Sequence, residues 1–338
     1  MKKKKISKEI LCPICKNVIL YSQYKQAYTS VFKNKKYYLY HCSHCNVKFW
    51  YPLKIEPEFY EKEYFLPYAS FHNLKENNIF YRHKIAYNLI KKLKKQKKKV
   101  NFLLDVGCAD GSFLKYCQGL GIEVTGIDLD HKSIENAKRK GLKNVYNYSL
   151  EEFLLKNKVK KKYDLITIFE VLEHQDKPKE FIKNIKKILK KEGFLLGTLP
   201  NRHRFLGRNA GLGDFPPHHF LRFDKKSLEY FFRNEGFRCK ISTFENRSSI
   251  RELIESCVNF SAFFTGEKSK FYFSLFFLNS KNTKPNDEIN IVDNTQQKNF
   301  LYVFISVILF IVPFIIYKFF LKLSESEDSL FFECQLIR

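Results

Sequence analysis

Phe102-Leu103-Leu104-Asp105-Val106-Gly107-Cys108-Ala109-Asp110-Gly111 is the stretch that decides the fold of this chain. An apolar run leads into a turn of small residues, which lets the backbone approach a ligand while the following helix presents free N–H groups. A second apolar run, 124–127, comes about twenty residues later and ends in Asp128. An acid at the end of a second strand can bind both hydroxyls of a ribose. The order of strand, glycine turn, helix, strand and acid therefore predicts a nucleoside site.

Short apolar runs alternate with stretches of helical periodicity through the centre of the chain, which is typical of a parallel sheet covered on both faces. Strands are predicted at 102–106, 122–128, 144–148, 165–169, 193–199 and 237–244. Helices are predicted at 73–95, 112–120, 132–140, 178–190 and 224–234, with Asp224 as the cap of the last. The expected fold class is α/β, with a doubly wound Rossmann-like sheet.

Several motifs in the same order resemble the class I S-adenosylmethionine-dependent methyltransferases. They are the turn Asp105–Gly111, the acid Asp128 and the segment 163–174, which ends in Glu170-Val171-Leu172-Glu173-His174. The segment Glu170–His174 is similar to the corresponding segment in a broad branch of the family. Ala109 stands where the family usually has glycine. The resemblance implies S-adenosylmethionine as cofactor and a seven-stranded sheet whose last strand, 330–337, pairs antiparallel with the sixth.

The resemblance also implies which residues surround the cofactor. Asp128 would bind the ribose, Gly107–Gly111 would lie against the amino-acid end, and the turn Ser149–Leu150 would contact the adenine. The candidate cofactor-binding residues are Asp105, Gly107, Ala109, Gly111, Asp128, Leu129, Ser149, Leu150 and Glu170. A Rossmann-type sheet that binds another nucleotide, or none, is the alternative.

Candidates for chemistry follow the fourth and fifth strands, because open α/β sheets bind ligands outside the carboxyl ends of their strands. Methyl transfer from a sulfonium is an in-line displacement, so the protein aligns a nucleophile and removes its proton. His174 follows the fourth strand, and Pro216-Pro217-His218-His219 follows the fifth. Each of the three histidines is a candidate general base. Alternatively, His174 bonds the backbone and the adjacent pair shapes the substrate loop or binds metal.

Two Cys-x-x-Cys pairs near the N-terminus predict a metal site. Cys12, Cys15, Cys42 and Cys45 have the spacing of a zinc ribbon, in which each pair forms a knuckle at a hairpin turn. Four thiolates fill a tetrahedral shell, so the zinc is expected to be structural. The unit, 10–52, has too small a core to fold without metal. A redox-active pair is the alternative.

The composition is a weak guide to partners and location. A formal net charge of +25 would suit nucleic acid or an anionic membrane. Arginine is scarce beside lysine, however, and the abundance of Lys, Asn, Ile, Phe and Tyr is what an AT-rich coding sequence would produce, so nucleic acid is not the favoured partner. No apolar signal follows Lys2–Lys5. The chain is expected to begin in a reducing cytoplasm, where paired cysteines bind metal more often than they form disulfides.

A long apolar segment near the C-terminus predicts contact with the cytoplasmic membrane. Phe300–Tyr317 is uncharged and is flanked by Lys298, Lys318 and Lys322. Its length would suit a transmembrane helix, but the final strand must return to the sheet. Residues 249–323 are therefore expected to form an insertion that lies in or dips into the cytoplasmic leaflet. A helix buried in a dimer interface and a true span are the alternatives.

These features predict a zinc ribbon (10–52), a linker and leading helix (53–98), a methyltransferase domain (99–248), a hydrophobic insertion (249–323) and a final strand (324–338). The ribbon and the Pro-Pro-His-His loop resemble those of methyltransferases that act on sugars or lipid-linked glycans in surface polysaccharide synthesis. The resemblance implies O-methylation of such an acceptor, by an enzyme attached peripherally to the cytoplasmic membrane. An RNA methyltransferase is one alternative, because basic and aromatic residues interleave at 21–51. A non-enzymatic adaptor that keeps the fold is the other.

Overall fold

The structure is a computed structural model, and it describes residues 9–30, 32–56, 58–59, 81–96, 98, 100–156, 162–204, 214–244 and 329–337. The predicted membrane insertion, 249–323, lies outside the described residues, as do residues 60–80 of the predicted linker and leading helix. Among the described helices, none combines the length and the apolar character needed to cross a bilayer.

The N-terminal region is built from short antiparallel strands. β1 (Glu9–Leu11) and β2 (Val18–Leu20) form a hairpin that carries the first cysteine pair at its turn. The chain continues through β3 (Gln26–Thr29), β4 (Lys36–His41) and β5 (Lys48–Tyr51). The second cysteine pair lies at the turn between β4 and β5, which pair antiparallel. Both knuckles are therefore hairpin turns, with aromatic strands before and after the second pair, as predicted.

Helices alternate with strands from residue 81 to residue 200, as predicted. In chain order they are α1 (Tyr81–Lys95), β6 (Phe102–Val106), α2 (Ser112–Gln118), β7 (Glu123–Asp128), α3 (His131–Arg139), β8 (Val145–Asn147), α4 (Leu150–Lys156), β9 (Tyr163–Phe169), α5 (Pro178–Ile188), β10 (Leu189–Pro200), β11 (Leu221–Arg222), α6 (Lys225–Asn234), β12 (Phe237–Phe244) and β13 (Ser329–Leu336). The helix α4 was not predicted, because a helix of about two turns is too short to show a clear 3.6-residue period in its apolar residues.

Within the described residues, the central sheet has seven strands in the order β12, β13, β10, β9, β6, β7 and β8. Neighbours from β10 to β8 run parallel, whereas β13 is antiparallel to both β10 and β12. This is the predicted doubly wound α/β sheet, and the pairing of the last two strands in the chain is confirmed. The carboxyl ends of β6, β7, β9 and β10 lie at one edge, which the candidate site residues follow.

The central strands are buried on both faces, and this explains their continuous apolar sequence. Every residue of β9 is buried. Ile182 and Ile185 of α5 belong to one hydrophobic cluster, and Phe113 of α2 belongs to a second. Thr167 interrupts β9, but its hydroxyl donates to Asp105 Oδ1 at 2.6 Å in the neighbouring strand. A polar group inside the sheet is thus hydrogen-bonded rather than exposed to apolar surroundings.

The N-terminal region shares a hydrophobic core with the central sheet region. β5 pairs antiparallel with β11, and Trp50 N donates to Phe220 O at 2.9 Å. The side chains of Tyr37, Trp50 and Phe220 are all fully buried. The aromatic residues expected to fill a small ribbon core therefore also bury the loop that precedes β11.

A disulfide that the sequence analysis did not predict joins Cys239 and Cys334. The two residues lie directly opposite each other in β12 and β13. They are separated by 95 positions in the chain, so cysteine spacing could not reveal the pair. The disulfide links the last two strands covalently.

Close packing at the centre of β10 leads to a prediction about Gly197. A Cβ atom there would lie 2.1 Å from Ile168 O and 2.5 Å from Phe332 Cζ. We expect Gly197→Ala to lower the free energy of unfolding by about 3 kcal/mol, because backbone and a buried ring cannot move aside cheaply. Urea denaturation measures the change. At Gly119 the nearest atom to a Cβ is 3.3 Å away, so Gly119→Ala is the control; equal effects of the two variants would contradict the packing argument.

Candidate active site

The turn after β6 contains three residues in the left-handed backbone region. Gly107, Ala109 and Gly111 have φ values of 79°, 46° and 69°. A Cβ atom at Gly107 would lie 2.6 Å from Val171 Cγ2, so only glycine allows this approach to the segment after β9. Ala109 adopts a conformation that costs an L-residue about 1–2 kcal/mol, and its N–H donates to Asp128 Oδ2 at 2.8 Å. The turn is therefore held in place by the acid that ends β7.

Asp128 is anchored beside an exposed apolar side chain. Its carboxylate accepts hydrogen bonds from the N–H groups of Ala109 and Asp130, each at 2.8 Å. Burial raises the pKa of Asp128, and these two N–H groups oppose the rise. Leu129 next to it is 65% exposed. A fixed carboxylate and an open apolar surface fit the ribose and the base of a nucleoside, so the residues present fit S-adenosylmethionine.

Two further cofactor candidates, Asp105 and Glu170, lie at the same edge of the sheet. Burial raises the pKa of Asp105 to about 7, although the hydrogen bond from Thr167 lowers it. Glu170 follows β9 with a φ of 55°, and its Oε1 accepts from Thr198 Oγ1 at 2.8 Å. Both carboxyl groups are thus bonded to threonines of neighbouring strands.

The predicted adenine turn, Ser149–Leu150, lies at the start of α4. Ser149 and Glu152 exchange hydrogen bonds between side chain and backbone, at 2.8 and 3.1 Å, and so form a capping box. Leu150 is buried in the core. The side chain of Ser149 therefore stabilises the start of α4, and that of Leu150 belongs to the core. This leaves the backbone groups of the turn for contact with a ligand.

The three candidate histidines lie together. The ring centroids of His174, His218 and His219 are 4.4, 4.7 and 4.5 Å apart. His174 ends the short turn after β9, whereas the other two belong to the loop before β11. Phe220 N donates to Glu173 O at 2.9 Å and so joins the two segments. Residues far apart in sequence thus meet where the strand order predicts.

His219 has the surroundings of a general base. Its Nδ1 lies 3.4 Å from Asp214 Oδ1, and its Nε2 lies 3.9 Å from Glu173 Oε1. Burial lowers the pKa of His219 well below its ordinary value, so the imidazole is neutral at pH 7. Asp214, which also pairs with Arg204, favours a proton on Nδ1. Nε2 is then the nitrogen that can accept a proton.

His174 and Glu173 complete the cluster. His174 Nδ1 lies 2.7 Å from His218 O, which is the backbone bond that the sequence analysis kept as an alternative. Burial lowers the pKa of His174 and raises that of Glu173, whose rise is reinforced by the charge of Glu170. Within the described residues, neither oxygen of Glu173 has a hydrogen-bond partner. A neutral carboxyl group therefore lies between neutral imidazoles.

The three imidazoles also have the composition of a metal site. Their ligand nitrogens lie within 4.8 Å of one another, and imidazole suits zinc and other divalent transition metals. His174 and His219 each place Nδ1 against an oxygen, as metal-bound histidines usually do with their second nitrogen. Proton acceptance and metal binding would use the same Nε2 atoms.

The four ribbon cysteines form a second cluster. Cys12 and Cys45 place their Sγ atoms 3.5 Å apart, as do Cys15 and Cys42, and all four sulfurs lie within 4.8 Å of one another. Tetrahedral zinc with Zn–S bonds of about 2.3 Å requires separations of roughly 3.7 Å. The geometry therefore fits one metal ion bound by four thiolates.

Sequence reasoning missed a polar network that joins the second knuckle to the segment after β10. Asp224 Oδ2 accepts from Asn46 Nδ2 at 2.7 Å and pairs with Arg202 Nη2 at 2.6 Å. Arg202 also donates to the backbone carbonyl of Asn46. The capping role of Asp224 was visible in the sequence, but the contacts of Asn46 with Asp224 and Arg202 join positions more than a hundred residues apart.

A small cleft opens to solvent beside His219. It is lined by Pro200, Asn201, Arg202, Arg204, Asp214, His219, Leu221 and Arg222. The cleft follows the carboxyl end of β10, where an acceptor is expected. The sequence signal for it was a group of three arginines in a chain that uses lysine far more often.

The structure combines a doubly wound sheet with a nucleoside-type turn and a cleft beside His219 at the same edge. Residues 79–240 match the family model described as a methyltransferase domain. This region, slightly less than half of the chain, is thus similar to a methyltransferase domain and carries most of the central sheet.

Curated relatives match the same domain. The "Ubiquinone biosynthesis O-methyltransferase" of Glaesserella parasuis serovar 5 (strain SH0165) is 31% identical over 154 residues, which are 41% of this chain and 65% of that protein. The protein of the same name from Pelagibacter ubique (strain HTCC1062) is 38% identical over 104 residues, which are 30% of this chain and 42% of that protein. The chain thus spans less than two thirds of the length of either relative.

Solved structures of methyltransferases are similar at low identity. The plantazolicin methyltransferase BpumL in complex with SAH has 16% identity and a TM-score of 0.49, over 83% of this chain and 94% of that one. A SAM dependent methyltransferase from Archaeoglobus fulgidus has 17% identity and a TM-score of 0.46, over 81% of this chain and 99% of that one. These TM-scores support no further conclusion about this chain.

The position of Asp128 leads to a prediction about cofactor affinity. We expect Asp128→Asn to weaken binding of S-adenosylhomocysteine by about 1–3 kcal/mol, because a neutral amide replaces the charged acceptor of the ribose hydroxyls. Isothermal titration calorimetry measures the change. Asp130→Asn is the control, since asparagine also caps α3 and Asp130 points to that helix. Equal affinity in wild type and Asp128→Asn would place the ribose elsewhere.

Proposed function

We propose that this domain transfers the methyl group of S-adenosylmethionine to a hydroxyl oxygen. The observation that carries the proposal is the pairing of His219 with Asp214 in the cleft beyond β10. The relatives are named as O-methyltransferases, which supports oxygen as the nucleophile. The bound cofactor would supply an electrophilic methyl group on a sulfonium.

His219 would accept the hydroxyl proton at Nε2. Its lowered pKa keeps the ring neutral and ready at pH 7, and Asp214 beside Nδ1 stabilises the imidazolium that forms. Glu173 near Nε2 is itself neutral, because burial raises its pKa, so it does not hold the ring in the charged form. His174 has a positioning role, since it bonds the carbonyl of His218 in the loop that carries the base.

For the acceptor we propose a sugar or a lipid-linked glycan. Three arginines line the cleft, Arg202, Arg204 and Arg222, and their charges suit a polar acceptor. The apolar segment Phe300–Tyr317 would hold the enzyme at the cytoplasmic leaflet, where lipid-linked acceptors reside. The names of the relatives favour a second candidate, a hydroxyl group on an intermediate of ubiquinone biosynthesis.

The first experiment tests the base. His219→Gln should reduce methyl transfer at least about 100-fold, because proton removal by a positioned side chain contributes that much. Its affinity for S-adenosylhomocysteine should be unchanged, since the cofactor turn lies after β6. His131→Gln, an exposed histidine at the start of α3, is the matched control and should retain full transfer. Undiminished transfer in His219→Gln would exclude this residue as the base.

The same assay tests the acceptor class. Labelled S-adenosylmethionine is incubated with protein and with lysate fractions separated into lipid, glycan, RNA and protein. We expect label in the lipid or glycan fraction, and its absence from both would contradict the proposal. Label in RNA would favour an RNA methyltransferase instead. If the pure, zinc-loaded protein binds no S-adenosylhomocysteine, the result would favour a non-enzymatic adaptor.

We also infer that the four-cysteine cluster binds one zinc ion with a structural role. The sulfur separations and the two matching knuckle turns support this inference. Since all four positions of a tetrahedral shell are filled by thiolates, no position remains for a substrate. The knuckle at Cys42–Cys45 reaches the acceptor side through Asn46.

Elemental analysis of freshly purified protein should therefore show one zinc per chain. Cys42→Ser should lose the metal and the order of the ribbon, while affinity for S-adenosylhomocysteine persists because the sheet that carries the cofactor turn remains folded. Protein without metal would contradict the assignment. A second metal equivalent that is lost in His219→Ala would assign the histidine cluster to metal binding and argue against its role as a base.

A further inference from the structure

Arg222 is a half-buried arginine in the cleft, and among the described residues it has no counter-charge. It ends β11, opposite Lys48 of β5. Across the part of the chain that the structure describes, no carboxylate pairs with its guanidinium. The two other arginines of the cleft differ, since Arg202 pairs with Asp224 at 2.6 Å and Arg204 pairs with Asp214.

The surroundings of Arg222 add positive charge. The pKa of Lys48 is lowered by burial, and then by the charges of Arg202 and Arg222. Burial alone lowers the pKa of Arg222. The nearby carboxylate of Asp224 is already engaged, because it pairs with Arg202 and accepts a hydrogen bond from Ser227 N at the start of α6. An unpaired, partly desolvated guanidinium is costly, and a ligand that brings the negative charge removes that cost.

We propose that Arg222 binds an anionic group of the acceptor, a phosphate or a carboxylate, in the cleft that also holds His219. The guanidinium fork matches two oxygens of either group. The inference rests on the proposed methyl transfer and narrows its acceptor to an acidic class, in which the charged group lies close to the hydroxyl that is methylated. A neutral acceptor would leave Arg222 desolvated without a counter-charge.

The position of Arg222 separates this group from the cofactor. The cofactor turn follows β6, and β9 lies between β6 and β10 in the sheet. The cleft lies beyond β10 and includes β11, which pairs with the ribbon strand β5. An anion bound there belongs to the acceptor side, so it should bind to protein that is already saturated with cofactor product.

The test uses the full-length, zinc-loaded protein saturated with S-adenosylhomocysteine. It is titrated by calorimetry with pyrophosphate in one arm and with glucuronate in the other. We expect at least one of these anions to bind, and Arg222→Gln to weaken that binding at least about tenfold. Arg222→Lys, which keeps the charge but loses the fork, should weaken it less. Binding of pyrophosphate alone assigns a phosphate-bearing acceptor, and binding of glucuronate alone assigns a carboxylate.

Arg238→Gln is the matched control, since Arg238 is an exposed arginine of β12. It should leave anion binding unchanged. Equal anion affinity in wild type and Arg222→Gln, or no binding of either anion, overturns the proposal. So does a loss of S-adenosylhomocysteine affinity in Arg222→Gln, because Arg222 would then serve the cofactor. S-adenosylhomocysteine and the anions are titrated separately, so the two proposals can fail independently. Wild-type protein that binds no S-adenosylhomocysteine would contradict the proposed methyl transfer.

Discussion

The acceptor side of the molecule depends on one carboxylate, that of Asp224. It accepts from Ser227 N at 2.7 Å at the start of α6, from Asn46 in the second knuckle at 2.7 Å, and it pairs with Arg202 at 2.6 Å. Burial acts to raise the pKa of Asp224, but its hydrogen bonds and the charge of Arg202 hold it below the ordinary value. Its contribution to stability is therefore complete at neutral pH and is lost as the pH falls through the folded-state pKa. Three segments that are distant in sequence have fixed relative positions because they share this group.

Through the same contacts the ribbon lies against the loop that carries the candidate histidines. The strand that follows the second knuckle pairs with β11, and Phe220 just before β11 bonds to Glu173 after β9. The loop that carries His218 and His219 leads directly into these two attachments. Hydrogen bonds at its carboxyl end and the shared aromatic core help to determine where the imidazoles lie. The zinc ion that we propose for the four-cysteine cluster would thus help to position the loop without touching substrate.

The cofactor side is organised differently. Its turn, its acid and the cap of the next helix all lie within 105–130, and their hydrogen bonds join residues close in sequence. Local backbone geometry forms this half of the site, because glycine conformations and short strand-to-helix turns are encoded over a few residues. The acceptor half requires the N-terminal region, the loop before β11 and the segment after β9 at the same time. A protein built in this way can keep one cofactor site while its acceptor site changes.

The sequence by itself determined the parallel strands, the turn Asp105–Gly111, the acid Asp128, the four-cysteine cluster and the return of 330–337 to the sheet. Each of these follows from a local pattern: an apolar run, a glycine spacing, a cysteine spacing or the period of a strand. Tertiary structure alone decided the disulfide Cys239–Cys334, the role of Asn46, the pairing of His219 with Asp214 and the position of Arg222 in the cleft. Most of these depend on distances between segments far apart in the chain, and even His219 and Asp214, five positions apart, meet only because the ribbon and β9 hold their loop. Hydrogen bonds and ion pairs act over a few ångströms, so no local pattern can state which distant groups will come within that range.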